Sequence, residues 1–136
     1  MINIRLMKET DLMNLKDFEV LFNSLHKNAV KYIVERDNEF EGFIVINMIS
    51  AMNEYKLGKL FFDFKNIDTY SLINEEFETI LHTQIVDNYF IKMTCDLDIR
   101  DNLKIGFLKE HRFVENKNDG SLVELKMTKP IFLQRS

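Results

Sequence analysis

Tryptophan is absent from this sequence, and cysteine and proline occur once each. With Cys95 alone, no intrachain disulfide can form, and a reducing compartment is the expected setting. Four glycines and one proline leave little material for long irregular loops, so most of the chain is expected in regular elements. Lys and Arg form no cluster and the net charge is -4, which argues against a phosphate-neutralising, nucleic-acid-binding surface. The opening residues, MINIRL, have neither the charged start nor the apolar run of a secretory signal. No apolar stretch approaches the length needed to cross a bilayer, so no membrane association is expected and the cytoplasm is the expected location.

What is present is ordinary for a globular protein: 46% hydrophobic and 29% charged residues, with twelve Phe as the expected core material. The length, 136 residues, fits one domain over 1–136. Residues 2–7 alternate as a short half-buried strand, and Thr10 and Asp11 then signal the start of a helix over about 11–25. Strands follow at 29–35, 40–49 and about 55–65, the first two joined through Asp37-Asn38 and the last two through a turn at 50–55. A helix over 74–89 places Phe77, Ile80, Leu81, Ile85 and Tyr89 on one face. A strand at 90–97, a short helix at about 101–111 and a hairpin turning at Asp119-Gly120 complete the chain. The order is β-α-β-β-β-α-β-α-β-β. It predicts an α/β (α+β) fold, a mixed sheet of about six to seven strands with helices on both faces.

The junction FFDFKNIDTYSLINEEFETIL, residues 61–81, is the most informative stretch. Strand-to-helix junctions often carry a glycine-rich turn that holds a phosphate. This one has no glycine, no Arg and no Lys after Lys65, while Asp68, Glu75, Glu76 and Glu78 are carboxylates. Acidic groups in a first helical turn complement the helix dipole themselves, and Asn74 is the expected cap. His26, His82 and His111 share no metal-ligand spacing with one another or with Cys95, so no metal is expected.

The element order, with the segments INIRLMKETDLMNL, YIVERDNEFEGFIVI, DNLKIGFLKEHRF and FVENKNDGSLVELKM, resembles the GNAT superfamily of acyl-CoA-dependent N-acetyltransferases. The resemblance covers nearly the whole chain and implies transfer of an acyl group from acetyl-CoA, or another acyl-CoA, to a small-molecule or protein amine acceptor. In that family the pyrophosphate lies on a glycine-containing loop, which here corresponds to 65–74 and lacks the motif. The resemblance assigns cofactor contacts to Phe64, Lys65, Thr69, Tyr70, Ser71 and Asn102, and the base to Asp63. Asp63 shares strand parity with Phe61 and Lys65 and is flanked by Phe62 and Phe64. Two readings of it stay open: a desolvated base, or a carboxylate paired with Lys65 or Lys59. Leu108 stands where many members place an acidic tyrosine, and Asn102 is either a pantetheine contact or a helix cap. A GNAT fold without cofactor, serving as a binding or regulatory module, is the alternative. The Phe-rich strands at 40–49 and 55–65 are open to pairing between subunits of a homodimer or to core burial.

Overall fold

The computed structural model describes residues 1–52 and 55–134. The turn expected between the second and third hairpin strands falls largely on residues 53–54, outside the described residues. Seven strands form one mixed sheet: β1 (Ile2–Leu6), β2 (Val30–Arg36), β3 (Glu39–Met52), β4 (Tyr55–Phe64), β5 (Phe90–Asp98), β6 (Val114–Asn118) and β7 (Leu122–Thr128). Their spatial order is β1-β2-β3-β4-β5-β7-β6. Every pairing is antiparallel except β4 with β5, which the intervening helical segment makes parallel. The turn between β2 and β3 has Asp37 and Asn38 at φ 53° and 69°, the primed geometry that matches strand twist. Gly120, at φ 91°, turns the last hairpin, and the Asp119 carboxylate accepts the N–H groups of Ser121 and Leu122 there.

Alternation sorts the strand residues onto two faces. Ile44, Ile46, Leu60, Phe62 and Phe64 join the larger core with α2 (Thr69–Leu72), α3 (Asn74–His82), α4 (Asn102–Glu110) and α5 (Lys129–Leu133). Phe43, Val45 and Ile33 face the other way, onto Leu15 and the short helix α1 (Glu19–Ser24). Helices therefore cover both faces. Phe43, Phe62 and Phe64 of these strands are buried in the two cores, and β3 has a neighbouring strand on each side.

Three helical expectations need correction. The stretch 11–25 is not one helix but two 3-10 turns, Glu9–Asn14 and Lys16–Phe18, followed by α1. Asp11 does not cap a helix from outside: it accepts the Lys8 N–H at 2.7 Å and the Arg5 guanidinium through both oxygens. Breaks at Leu15 and Phe18 bring both side chains down to the Phe43 patch, where the Phe18 and Phe43 rings meet edge-on at 4.7 Å. The central helix starts earlier than 74. Thr69–Leu72 is already helical, Ile73 (φ -98°, ψ 3°) makes a small break, and a π turn at Thr83–Asp87 ends the segment. Asn74 is thus inside the helical run rather than its cap, and Tyr89 at φ 62° has left the helix and its apolar face. α5 is an additional element. Thr128 caps it by accepting the Ile131 N–H at 3.5 Å, Pro130 lies in its first turn, and Phe132 is buried.

Two features of this frame yield measurable consequences. Gly42 pairs with Phe64, and a Cβ there would stand 2.0 Å from the Asp63 carbonyl oxygen and 2.8 Å from the Phe64 ring. Gly42→Ala is therefore expected to destabilise the fold by about 3 kcal/mol, the upper end of ordinary overpacking, read as a lower urea midpoint. A midpoint equal to wild type would mean that β3 and β4 separate there without cost.

The second feature ties α3 to the end of α4. The Glu78 carboxylate accepts the Arg112 guanidinium at 2.8 Å and lies 2.7 Å from Nδ1 of buried His111, whose Nε2 is 3.0 Å from the Asn74 side-chain oxygen. Burial alone would raise the Glu78 pKa, but hydrogen bonds from His111 and Arg112 outweigh it and hold the carboxyl below its usual range. Its folded pKa is below its unfolded one, so its stabilisation is full above the usual carboxylate pKa and is lost as pH falls through the folded value. Urea midpoints measured from neutral pH into the acid range are expected to fall more steeply for wild type than for Glu78→Gln. Equal slopes would contradict the assignment.

Candidate functional site

β4 and β5 pair only from Lys56↔Phe90 to Lys59↔Thr94 and then part. Beyond this point β5 stays bonded to β7 as far as Asp98, and β4 stays bonded to β3 as far as Phe64. The two inner edges are left facing one another without a ladder between them. Backbone N–H and C=O groups need partners, so such an edge suits an extended ligand that carries amides of its own. The opening holds a cavity of about 170 Å³ lined on its two strands by Leu60, Asp63, Cys95 and Asp96 among others, and by Lys104 from α4.

Asp63 stands at this opening with 40% of its side chain exposed. Its partner is Lys104, at 3.1 Å, rather than Lys65 or Lys59; Lys59 instead bridges to Asp96 of β5 at 2.7 Å. The Lys104 ammonium also lies 5.4 Å from the Phe62 ring. Phe62 and Asp63 are on opposite faces of β4, so this lysine reaches from α4 through the space between the parted strands. A long, flexible ammonium side chain is readily re-aimed when another group enters. Cys95 lines the same cavity, but burial pushes its thiol up to about 12, which leaves it protonated and unsuited to nucleophilic attack at neutral pH.

The expected cofactor residues divide into three groups. Tyr70, Ser71 and Asn102 meet along one groove of about 380 Å³ between α2 and α4, with Asp68 and Glu110 on its walls. Asn102 is exposed and does not cap α4; Asp101 does, accepting the Lys104 N–H at 3.2 Å. Tyr70 is 6% exposed, and burial, then the nearby Asp63 charge, push its phenol upward, so it stays protonated. The Phe64 ring is buried against Tyr70, with 4.8 Å between centroids. Lys65 points away, its ammonium 5.2 Å from the Phe40 ring.

Thr69 belongs to the third group, and its partner was not foreseen. The Glu41 carboxylate, 2% exposed, accepts the Thr69 hydroxyl at 2.8 Å, the Asn66 backbone N–H at 2.8 Å and the Asn66 side-chain amide at 2.7 Å. The Glu41 carbonyl also accepts the Lys65 N–H at 2.8 Å. Next to it, Arg36 grips Asp68 through two bonds of 2.7 and 3.0 Å. The Arg36 guanidinium holds the Asp68 carboxyl below its usual range, with lesser help from the Asp68 and Thr69 backbone N–H groups. The Asn66 backbone and side-chain donors and the Thr69 hydroxyl are therefore all spent on the Glu41 carboxylate.

The sequence signal for Glu41 was a lone carboxylate in an otherwise apolar strand, FEGFIVI. A buried charge in such a place must have dedicated partners. Lys104 and Arg36 gave no comparable signal.

No protein-family model and no curated protein matches this sequence. Solved structures do match the fold. A GNAT-family acetyltransferase from Streptococcus pneumoniae superposes with a TM-score of 0.68 at 14% identity, covering 94% of this chain and 99% of the other. A dodecameric spermidine N-acetyltransferase from Vibrio cholerae gives 0.70 at 14% identity, covering 99% and 98%. The GNAT domain of S. lividans PAT gives 0.72 at 10% identity, covering 93% and 90%. These likenesses establish the architecture, including the sheet and its covering helices.

Proposed function

On this GNAT fold, we propose that the protein transfers an acyl group from a pantetheine thioester, of which acetyl-CoA is the common form, to an amine acceptor. The observation that carries the reading is the parting of β4 and β5 after Lys59 and Thr94, with Asp63 at the mouth of the opening. A pantetheine arm is extended and carries two amides, so it fits the free edge of β4 as an added strand would. Its thioester supplies the activated acyl group.

The side chains at the opening have definable tasks. The Asp63 carboxylate, 3.1 Å from the Lys104 ammonium, accepts the proton that the amine must lose as it attacks the carbonyl carbon. Asp63 and Asp96 together favour a cationic acceptor, and Lys104 and Lys59 are the ammonium groups it would replace beside them. Leu108 is buried and takes no part, while Tyr70 is a protonated hydroxyl at the groove. One structural neighbour is a spermidine N-acetyltransferase, which makes polyamines a reasonable first class of acceptor.

The test is thiol release from acetyl-CoA with a panel of amines that includes spermidine. Release that requires both protein and amine, with the acylated amine found by mass spectrometry, is the expected result. No release with any amine would favour a second reading, a GNAT fold retained as a binding module. That reading draws its support from the carboxylate-filled loop.

A further inference from the structure

We propose that the acyl donor is held by its pantetheine arm alone, and that the loop between β4 and α2 contributes no binding to the diphosphate of coenzyme A. This deepens the acyl-transfer reading above and rests on it. The reason is that the place where an anion would meet the loop is already taken from within. Glu41 is buried, and its two carboxylate oxygens accept three hydrogen bonds, from the Asn66 N–H, the Asn66 amide and the Thr69 hydroxyl. A diphosphate claiming those donors would leave a buried carboxylate without partners, one of the costliest changes a folded protein can undergo.

Charge near the loop works in the same direction. Asp68 borders both the loop and the groove toward α4, and Glu110 lies farther along that groove. The two cations at the loop are already engaged. Arg36 is held in a bidentate pair by Asp68, and Lys65 lies over the Phe40 ring. With a net charge of -4, the whole chain also repels a polyanion. The parted edge of β4 has no such conflict, because a pantetheine arm is neutral and amide-bearing. The donor class that fits is therefore a neutral thioester, with the nucleotide half of coenzyme A left outside the protein's grip.

The experiment is calorimetric titration of the wild-type protein with acetyl-pantetheine and with acetyl-CoA, each at low and at physiological salt, with ADP as a control ligand. Acetyl-pantetheine is expected to bind at least as well as acetyl-CoA, to within about threefold, at physiological salt. At low salt acetyl-CoA should bind more weakly than that, since charge repulsion is then less screened. ADP should give no heat of binding. Acetyl-CoA binding tighter than acetyl-pantetheine by more than about threefold, or ADP binding in competition with acetyl-CoA, would overturn the inference while leaving acyl transfer intact. If neither thioester binds, the acyl-transfer reading fails and this inference fails with it.

Discussion

Asp63→Asn is expected to lower kcat/KM for acyl transfer by about 100-fold to 10,000-fold, the usual range for removing a positioned base. The melting temperature should change little. Asp63 is 40% exposed, and its pair with Lys104 is open to solvent on one side. Exposed pairs of this kind contribute about 0–1 kcal/mol, so their loss barely moves the unfolding transition. Asn keeps the size and one acceptor oxygen of Asp but cannot take a proton from an attacking amine. The rate loss should therefore appear in kcat/KM while thioester affinity, measured by calorimetry, remains near wild type. A large loss of melting temperature would make Asp63 a structural residue, and an unchanged rate would remove it from the chemistry.

Phe77→Ala should have the largest effect on stability, about 3–5 kcal/mol. Phe77 is fully buried on α3, and its ring meets Phe107 and His111 at 4.8 Å each and Phe62 at 6.2 Å. Those contacts join α3, α4 and β4, so the substitution leaves a cavity where three elements converge. For a domain of this size the melting temperature should drop by roughly 10 °C or more. Thioester binding should weaken too, because α4 carries Lys104 and β4 carries the edge that a donor would pair with. A drop of only a degree or two would mean that the cluster repacks around the vacated volume, which a close-packed interior resists.

Sequence alone disclosed the parts of this fold that depend on short-range chemistry. The turn at Asp37-Asn38, the turn at Gly120 and the alternation from Leu60 to Phe64 are decided by neighbours a few residues apart, and each could be read directly. The helix over 11–25 could not, because its breaks at Leu15 and Phe18 serve contacts with Phe43 on a distant strand. The start of the central helix was placed too late for a related reason. Asn74 has the right chemistry for a cap, but its side chain is drawn to the Ser71 carbonyl and to His111. The candidate site divides in the same way. Asp63 was visible as the ionisable residue among phenylalanines, whereas its partner Lys104 lies on another element. Glu41 meets Asn66 and Thr69 across 25 and 28 residues of sequence, a separation that no local pattern spans.

The parted strands are the center of the functional reading, and an amide-resolved NMR titration with acetyl-pantetheine tests them most directly. Saturable shifts should be concentrated at residues 60–64 of β4 and 95–97 of β5, while the Lys65 and Asn66 amides hold their positions against Glu41. A spectrum unchanged at saturating ligand, or shifts confined to residues away from both strands, would contradict the assignment of the opening as a thioester site.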